Sequence, residues 1–142
     1  MRKVFWVALL LLFTGCATAT SKNMFGERYN EAISSGTVAT IIKEGNFEEI
    51  RNSVFDAFRS LSYNKVLFED PKQGFMVVYK DIPEAKAYLV GDQQMYRIIL
   101  KFTKTDEKYK TRIDLVNATD IMWAQEEVDR DIRQLADIIG AK

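Results

Sequence analysis

The sequence predicts an α+β domain in which an antiparallel sheet of about five strands is covered on one face by two helices. Segments 94–103 and 108–117 alternate apolar and polar residues, as half-buried strands do. Segments 47–62 and 128–139 instead repeat their apolar residues every three or four positions, as amphipathic helices do. Strands that follow one another between two helices favour an antiparallel meander with both helices on the same face.

The folded part is predicted to begin near Gly36, with a strand over 37–43 that is rich in β-branched residues. A helix over 47–62 follows. Asn46 precedes this helix and Glu49 stands three residues later, which is the spacing of a capping box. The apolar face of the helix consists of residues spaced three and four apart, namely Phe47, Ile50, Val54, Phe58 and Leu61.

Two short strands are predicted next, over 65–69 and 75–80. Residues 70–74 join them and have the proline and glycine of a tight turn. The segment after the second strand is ambiguous, because Pro83 interrupts it and only residues 87–90 favour a short edge strand.

The last two strands form a predicted hairpin, since a polar turn at 105–107 separates them. The final helix carries its apolar residues at spacings of four, three and four: Val128, Ile132, Leu135 and Ile139. The complete order is therefore β-α-β-β-(β)-β-β-α. This order resembles the helix-grip or TBP-like folds, and the resemblance implies that the space between helices and sheet is either a packed core or a ligand cavity.

The first sixteen residues have the composition of a secretory signal. Arg2 and Lys3 are basic, residues 4–13 form an unbroken apolar run, and Gly15 precedes Cys16. An apolar run of this length rises only about 15 Å as a helix, against a hydrocarbon core of about 30 Å. Residues 1–15 are therefore predicted to be a signal peptide rather than a membrane span.

The segment Leu12-Phe13-Thr14-Gly15-Cys16 resembles the lipobox of bacterial lipoproteins. In that family a diacylglycerol is attached to the cysteine, the peptide is cleaved before it, and the new amino terminus is usually acylated. The resemblance implies that Cys16 holds the protein to a membrane. Phe13 departs from the pattern, which prefers leucine there, and the alternatives are an unmodified buried thiol or an uncleaved anchor. Ala17 in place of aspartate favours the outer membrane, facing the periplasm, over the inner membrane.

Residues 16–35 are small, polar or charged with few apolar members, so they are predicted to be a lipidated cysteine and a flexible tether. Residues 36–142 are the predicted globular domain. BamC-like lipoproteins of the outer-membrane assembly machinery are similar in lipobox, tether and kind of domain. This similarity implies a role in envelope assembly.

Composition excludes several kinds of chemistry. The chain has no histidine, which is the commonest general base and metal ligand, and a single cysteine, which allows no disulfide and no thiolate zinc site. Its formal net charge is zero, which gives no overall attraction to nucleic acid. Acidic residues at the start of the last helix suit the helix dipole better than catalysis: Glu126, Glu127, Asp129 and Asp131. We expect no enzyme activity, no cofactor, no metal and no nucleic-acid partner.

The sheet face turned away from the helices is the predicted partner-binding surface. If Thr103 pairs with Lys110, then Lys101 lies opposite Arg112. The face would then have an apolar centre and basic edges, and it would dock an acidic protein or an anionic head group. A solvated face with scattered apolar residues is the alternative. The centre comprises Met76, Val78, Ile99 and Val116, and the edges comprise Arg97, Lys101, Lys110 and Arg112.

An aromatic stripe allows a second functional hypothesis: Phe75, Tyr79, Tyr96, Phe102 and Tyr109. These side chains either pack as core beneath the helices or line a cavity for a small apolar or lipid ligand. The sequence thus predicts a membrane-anchored, non-enzymatic envelope lipoprotein that binds a protein partner, with a carrier or sensor of an apolar ligand as the alternative.

Overall fold

The computed structural model describes residues 23–82 and 95–141. In these ranges three helices and five strands follow one another: α1 (residues 23–35), β1 (Ala39–Glu44), α2 (Phe47–Ser60), β2 (Lys65–Asp70), β3 (Phe75–Asp81), β4 (Met95–Lys104), β5 (Lys110–Asn117) and α3 (Gln125–Ala141). None of the described helices is both long and apolar enough to cross a bilayer.

The five strands form one sheet in the order β1-β5-β4-β3-β2, and every neighbouring pair is antiparallel. The predicted α+β class with an antiparallel sheet of about five strands is therefore confirmed. β2 and β1 are the two edge strands. The ambiguous strand over 87–90 lies outside the described residues.

Helices α2 and α3 cover the same face of the sheet, as predicted. Asn46 caps α2, because its Oδ1 accepts hydrogen bonds from the backbone N–H groups of Glu48 (2.9 Å) and Glu49 (3.3 Å). The core between these helices and the sheet is filled by side chains that are at most 1% exposed, among them Val54, Phe58, Ile98, Leu100, Leu135 and Ile139.

The opposite face of the sheet is covered by α1, which contradicts the prediction of a tether through residue 35. Phe25 and Ala32 of this helix are buried, and they pack with Val77, Ile99 and Val116. The apolar face of the sheet explains the difference, since an uncovered face would leave these side chains in water. The sheet thus lies between α1 on one side and α2 with α3 on the other.

The predicted turn at 70–74 is present between β2 and β3. Gly74 adopts a φ of +61°, in the left-handed region that glycine tolerates best. A Cβ at this position would lie 2.5 Å from the backbone oxygen of Phe102. The carbonyl of Gly74 also accepts a 2.8 Å hydrogen bond from the Phe102 N–H. The turn is therefore bonded directly to β4.

The register of the β4–β5 hairpin differs from the prediction by two residues. Thr103 pairs with Arg112 rather than Lys110, and Lys101 consequently lies opposite Asp114. The turn is longer than predicted because it extends through Tyr109, whose φ is +68°. Opposite charges therefore face each other where the predicted register placed two like charges, which is the more stable arrangement.

Candidate functional site

The predicted partner-binding face is not an exposed surface. Met76 pairs with Leu100 and lies, like Val78, on the face that α2 and α3 cover. Ile99 and Val116 lie on the other face, beneath α1. All four side chains are at most 6% exposed. The apolar centre was wrongly assigned because Ile99 pairs with Val77, which puts Met76 and Val78 on the opposite side of the sheet from Ile99.

The four basic residues predicted for that face do share one side of the sheet, around α1, but each contacts an acidic or aromatic side chain of the domain. Each cation therefore lies beside another group of the domain, and Arg112 is bound to the buried Asp114. The contacts are Arg97 Nη1 with Asp120 (3.2 Å), Lys101 Nζ above the ring of Tyr29 (4.7 Å), Lys110 Nζ with Glu44 (3.4 Å) and Arg112 Nε with Asp114 (3.0 Å).

A buried carboxylate, Asp114, organises this side of the sheet. It is 0% exposed and accepts hydrogen bonds from Tyr29 Oη (2.7 Å), Thr40 Oγ1 (2.8 Å) and Arg112 Nε (3.0 Å). Burial and the bond to Asp114 raise the pKa of Tyr29 to about 12, so its hydroxyl remains a donor at neutral pH. Alternation along β5 did not single out Asp114, because a polar residue between apolar neighbours normally indicates an exposed position.

A second polar cluster joins α3 to β3 and to the end of α2. Asp131 Oδ2 accepts hydrogen bonds from the hydroxyl of Tyr63 (2.7 Å) and from Lys80 Nζ (2.9 Å). Lys80 also lies 4.5 Å above the ring of Tyr63. Burial, followed by the bond to Asp131, raises the pKa of Tyr63 well above its usual value. The cluster fastens α3 and provides no tyrosinate for catalysis near neutral pH.

The acidic residues at the start of α3 take part in similar bonds. Glu127 accepts a 2.8 Å hydrogen bond from Tyr96, and burial raises the pKa of that tyrosine, with the Glu127 bond adding to the effect. Asp129 accepts a 3.0 Å bond from the amide of Asn117. Within residues 23–82 and 95–141, no group of three metal-ligating side chains is placed to hold an ion.

An open groove runs between α2 and strands β2 and β3. We call it the α2 groove. It consists of two adjoining recesses of about 250 and 270 Å³, which share Arg51, Glu69 and Met76 in their walls. Its apolar lining comes from aromatic and aliphatic side chains of the helix and the sheet: Phe47, Phe55, Val66, Met76, Val78 and Phe102. The groove has no local signal in the sequence, because its lining residues are distant from one another in the chain.

Charged side chains of both signs line the α2 groove: Arg51 and Arg59 of the helix, and Glu48 and Glu69. Arg51 lies 5.1 Å above the ring of Phe55 and 4.0 Å from Glu48, while Arg59 contacts Asp56 at 3.0 Å. Such exposed pairs are weak, so both guanidinium groups can exchange their partners for a ligand carboxylate. Beyond the β2–β3 turn, Lys72, Lys101 and Lys104 line a further notch of about 490 Å³ that continues from the groove past Phe47.

The predicted aromatic stripe is divided between three environments. Phe75 packs beneath α1, whereas Tyr96 and Phe102 pack beneath α2 and α3. Tyr79 is half-buried, and Tyr109 is exposed at the hairpin turn. Three of the five side chains therefore belong to the core, divided between the two faces, and the stripe lines no single cavity.

The fold is a small α+β domain with an open groove beside α2. No family model and no curated protein sequence matches the chain. The chain is similar to one in the crystal structure of the adenylate sensor from AMP-activated protein kinase in complex with 5-aminoimidazole-4-carboxamide 1-β-D-ribofuranotide (ZMP). The TM-score is 0.51 and the identity 14%, over 72% of this chain and 95% of that chain. At this identity the similarity shows the fold alone.

Proposed function

We propose that this chain is a lipid-anchored lipoprotein of the bacterial envelope whose domain binds another protein and catalyses no reaction. The anchor is inferred from Cys16 and the lipobox residues before it. The binding role is inferred from the α2 groove, whose apolar lining and two arginines, Arg51 and Arg59, suit a protein segment. Ala17, where an aspartate would favour the inner membrane, supports retention in the outer membrane, facing the periplasm.

The groove favours a partner segment that carries carboxylates beside apolar side chains. Arg51 and Arg59 project from one face of α2, eight residues apart, and Val66 across the groove is 51% exposed. An apolar side chain of the partner would cover Val66 and Met76, while its carboxylates pair with the two arginines. Arginine forks bind carboxylates through paired hydrogen bonds, which gives the contact its specificity.

The alternative of a carrier for a small apolar ligand has less support. Sites for such ligands are clefts or cavities that bury at least about 70% of the ligand's surface. The recesses of the α2 groove are about 250 and 270 Å³ and open to solvent along the helix. The space between the sheet and the helices α2 and α3 is occupied by buried side chains such as Val54, Leu100 and Leu135.

A photo-crosslinking experiment tests the proposal. The photoreactive amino acid benzoylphenylalanine is placed at Val66, within the groove, and at Tyr109, which is 67% exposed at the hairpin turn. Irradiation of the cells that produce the full chain should yield one defined adduct from position 66. Mass spectrometry of that adduct should locate the crosslink in an acidic segment of the partner.

Charge variants provide the matched control. Arg51→Gln with Arg59→Gln should abolish the position-66 adduct, while Lys43→Gln with Lys108→Gln removes the same charge outside the groove and should preserve it. Equal adducts from positions 66 and 109, or an adduct that survives the arginine substitutions, would refute the groove as the binding site. A Cys16→Ser variant that stays in the membrane at its original size would refute the anchor.

A further inference from the structure

One edge of the sheet carries exposed apolar side chains next to the point where the chain leads back to Cys16. Met24 is 41% and Leu67 43% exposed. Phe25 in α1 stacks on Phe68 in β2, with ring centroids 6.4 Å apart, and this contact holds the start of α1 against the β2 edge. We call Met24 and Leu67 the edge patch.

The length of chain between the anchor and α1 restricts where the domain can lie. Residues 16–35 would permit a long tether only if they were extended, but residues 23–35 are helical and packed on the sheet. Only residues 17–22 separate Cys16 from residue 23. A connection of this length spans at most about 25 Å when fully extended. A lipid on Cys16 therefore keeps the start of α1, and with it the β2 edge, close to the bilayer.

We propose that the edge patch rests on the lipid surface in which Cys16 is anchored, with its two apolar side chains in the interfacial region. The inference depends on the proposed lipidation of Cys16. The anchor holds the patch beside the membrane at high effective concentration. A contact with the lipid that buries only a small apolar area is therefore formed in a large fraction of the molecules. The domain then has one fixed orientation, with the β2 edge towards the lipid and the β1 edge away from it.

The chemistry of the edge favours lipid over an added strand from another chain. A bulge between Val66 and Phe68 interrupts the ladder, and Lys65 stands at the start of the strand, two features that discourage edge-to-edge pairing. Lys65 and Glu69 both flank the patch, so the local charge is mixed. The contact is therefore apolar in origin, and added salt should leave it unchanged.

Site-directed spin labelling of the lipidated full-length protein tests this orientation. In the lipidated chain the thiol of Cys16, the only cysteine, is blocked, so an introduced cysteine is the only free thiol. Leu67→Cys and Met24→Cys report on the patch, and Tyr109→Cys, beside the end of β1, is the control. The labelled proteins are reconstituted in vesicles of phosphatidylethanolamine and phosphatidylglycerol. The accessibility of each spin label to oxygen, measured by its relaxation enhancement, is compared with its accessibility to chelated nickel.

We expect the oxygen-to-nickel ratio to be several-fold higher at positions 24 and 67 than at position 109, both in low salt and in molar sodium chloride. Equal ratios at all three positions, on vesicles that still carry the protein, would overturn the orientation while leaving the anchor intact. Spin–spin coupling between labels at position 67 would overturn it in favour of pairing between two copies. A reactive thiol at position 16 would overturn both the anchor and this inference.

Discussion

The hydroxyl of Tyr29 in α1 donates a 2.7 Å hydrogen bond to the Oδ2 atom of Asp114, a carboxylate that is wholly buried in β5. The other oxygen of Asp114 is held by Thr40 from β1 and Arg112 from β5. One buried charge therefore connects a helix and two strands. This contact makes α1 an integral part of the domain, and it leads to the first two predictions.

Removal of the tyrosine hydroxyl should destabilise the domain. Tyr29→Phe keeps the ring against Phe75 but leaves one side of a buried carboxylate without its donor, which typically costs about 1.5–3 kcal/mol. The free energy of unfolding in urea measures the effect. Tyr109→Phe is the control, because its side chain is 67% exposed and should change stability negligibly. Equal stability of the two variants would show that the Tyr29–Asp114 bond contributes nothing net.

Alkaline pH should weaken the same contact. The pKa of Tyr29 is raised from about 10 to about 12 in the folded protein, so the folded state retains this proton where the unfolded state loses it. The stabilisation is complete below about pH 10 and is lost as pH rises towards about 12. The difference in unfolding free energy between the wild type and Tyr29→Phe should therefore shrink across that window. A constant difference would contradict the prediction.

The pair formed by Lys80 and Asp131 should respond strongly to removal of one partner. Their side chains are only 20% and 15% exposed, so Lys80→Met leaves a mostly buried carboxylate without its cation and should cost about 3 kcal/mol. Lys80→Met with Asp131→Asn removes both charges, and the amide oxygen can still accept from Tyr63. The double variant should recover much of the lost stability. Additive losses in a double-mutant cycle would argue against a coupled pair.

Gly74 should be the least replaceable of the described glycines. Alanine there would need a positive φ and a Cβ 2.5 Å from the backbone of Phe102, so Gly74→Ala should destabilise the domain by about 1–3 kcal/mol. Gly140 lies inside α3 with open space at its Cβ position, and Gly140→Ala should stabilise by up to about 1 kcal/mol. Thermal unfolding of the two variants compares them directly. If both variants shifted the melting temperature in the same direction, the proposed requirement for glycine at position 74 would be refuted.

Local patterns determined the elements that the sequence predicts correctly. Alternation located β4 and β5, helical spacing located α2 and α3, and Asn46 marked the start of α2. These signals suffice because strand alternation and helix capping depend on residues only a few positions apart. Phe25, Tyr29 and Ala32 also have helical spacing, but polar neighbours conceal it, and their burial depends on a sheet face that later residues supply.

The tertiary structure alone decided which residues meet across the sheet. The strand register places Lys101 opposite Asp114, and it places Met76 and Ile99 on opposite faces of the sheet. It also directs the buried carboxylate of Asp114 towards α1, where Tyr29 donates a hydrogen bond to it. Alternation determines that neighbours in a strand point to opposite sides, but only pairing with another strand decides which side is which. The α2 groove has the same origin, because a helix and two strands must pack before its arginines and its apolar lining share one surface.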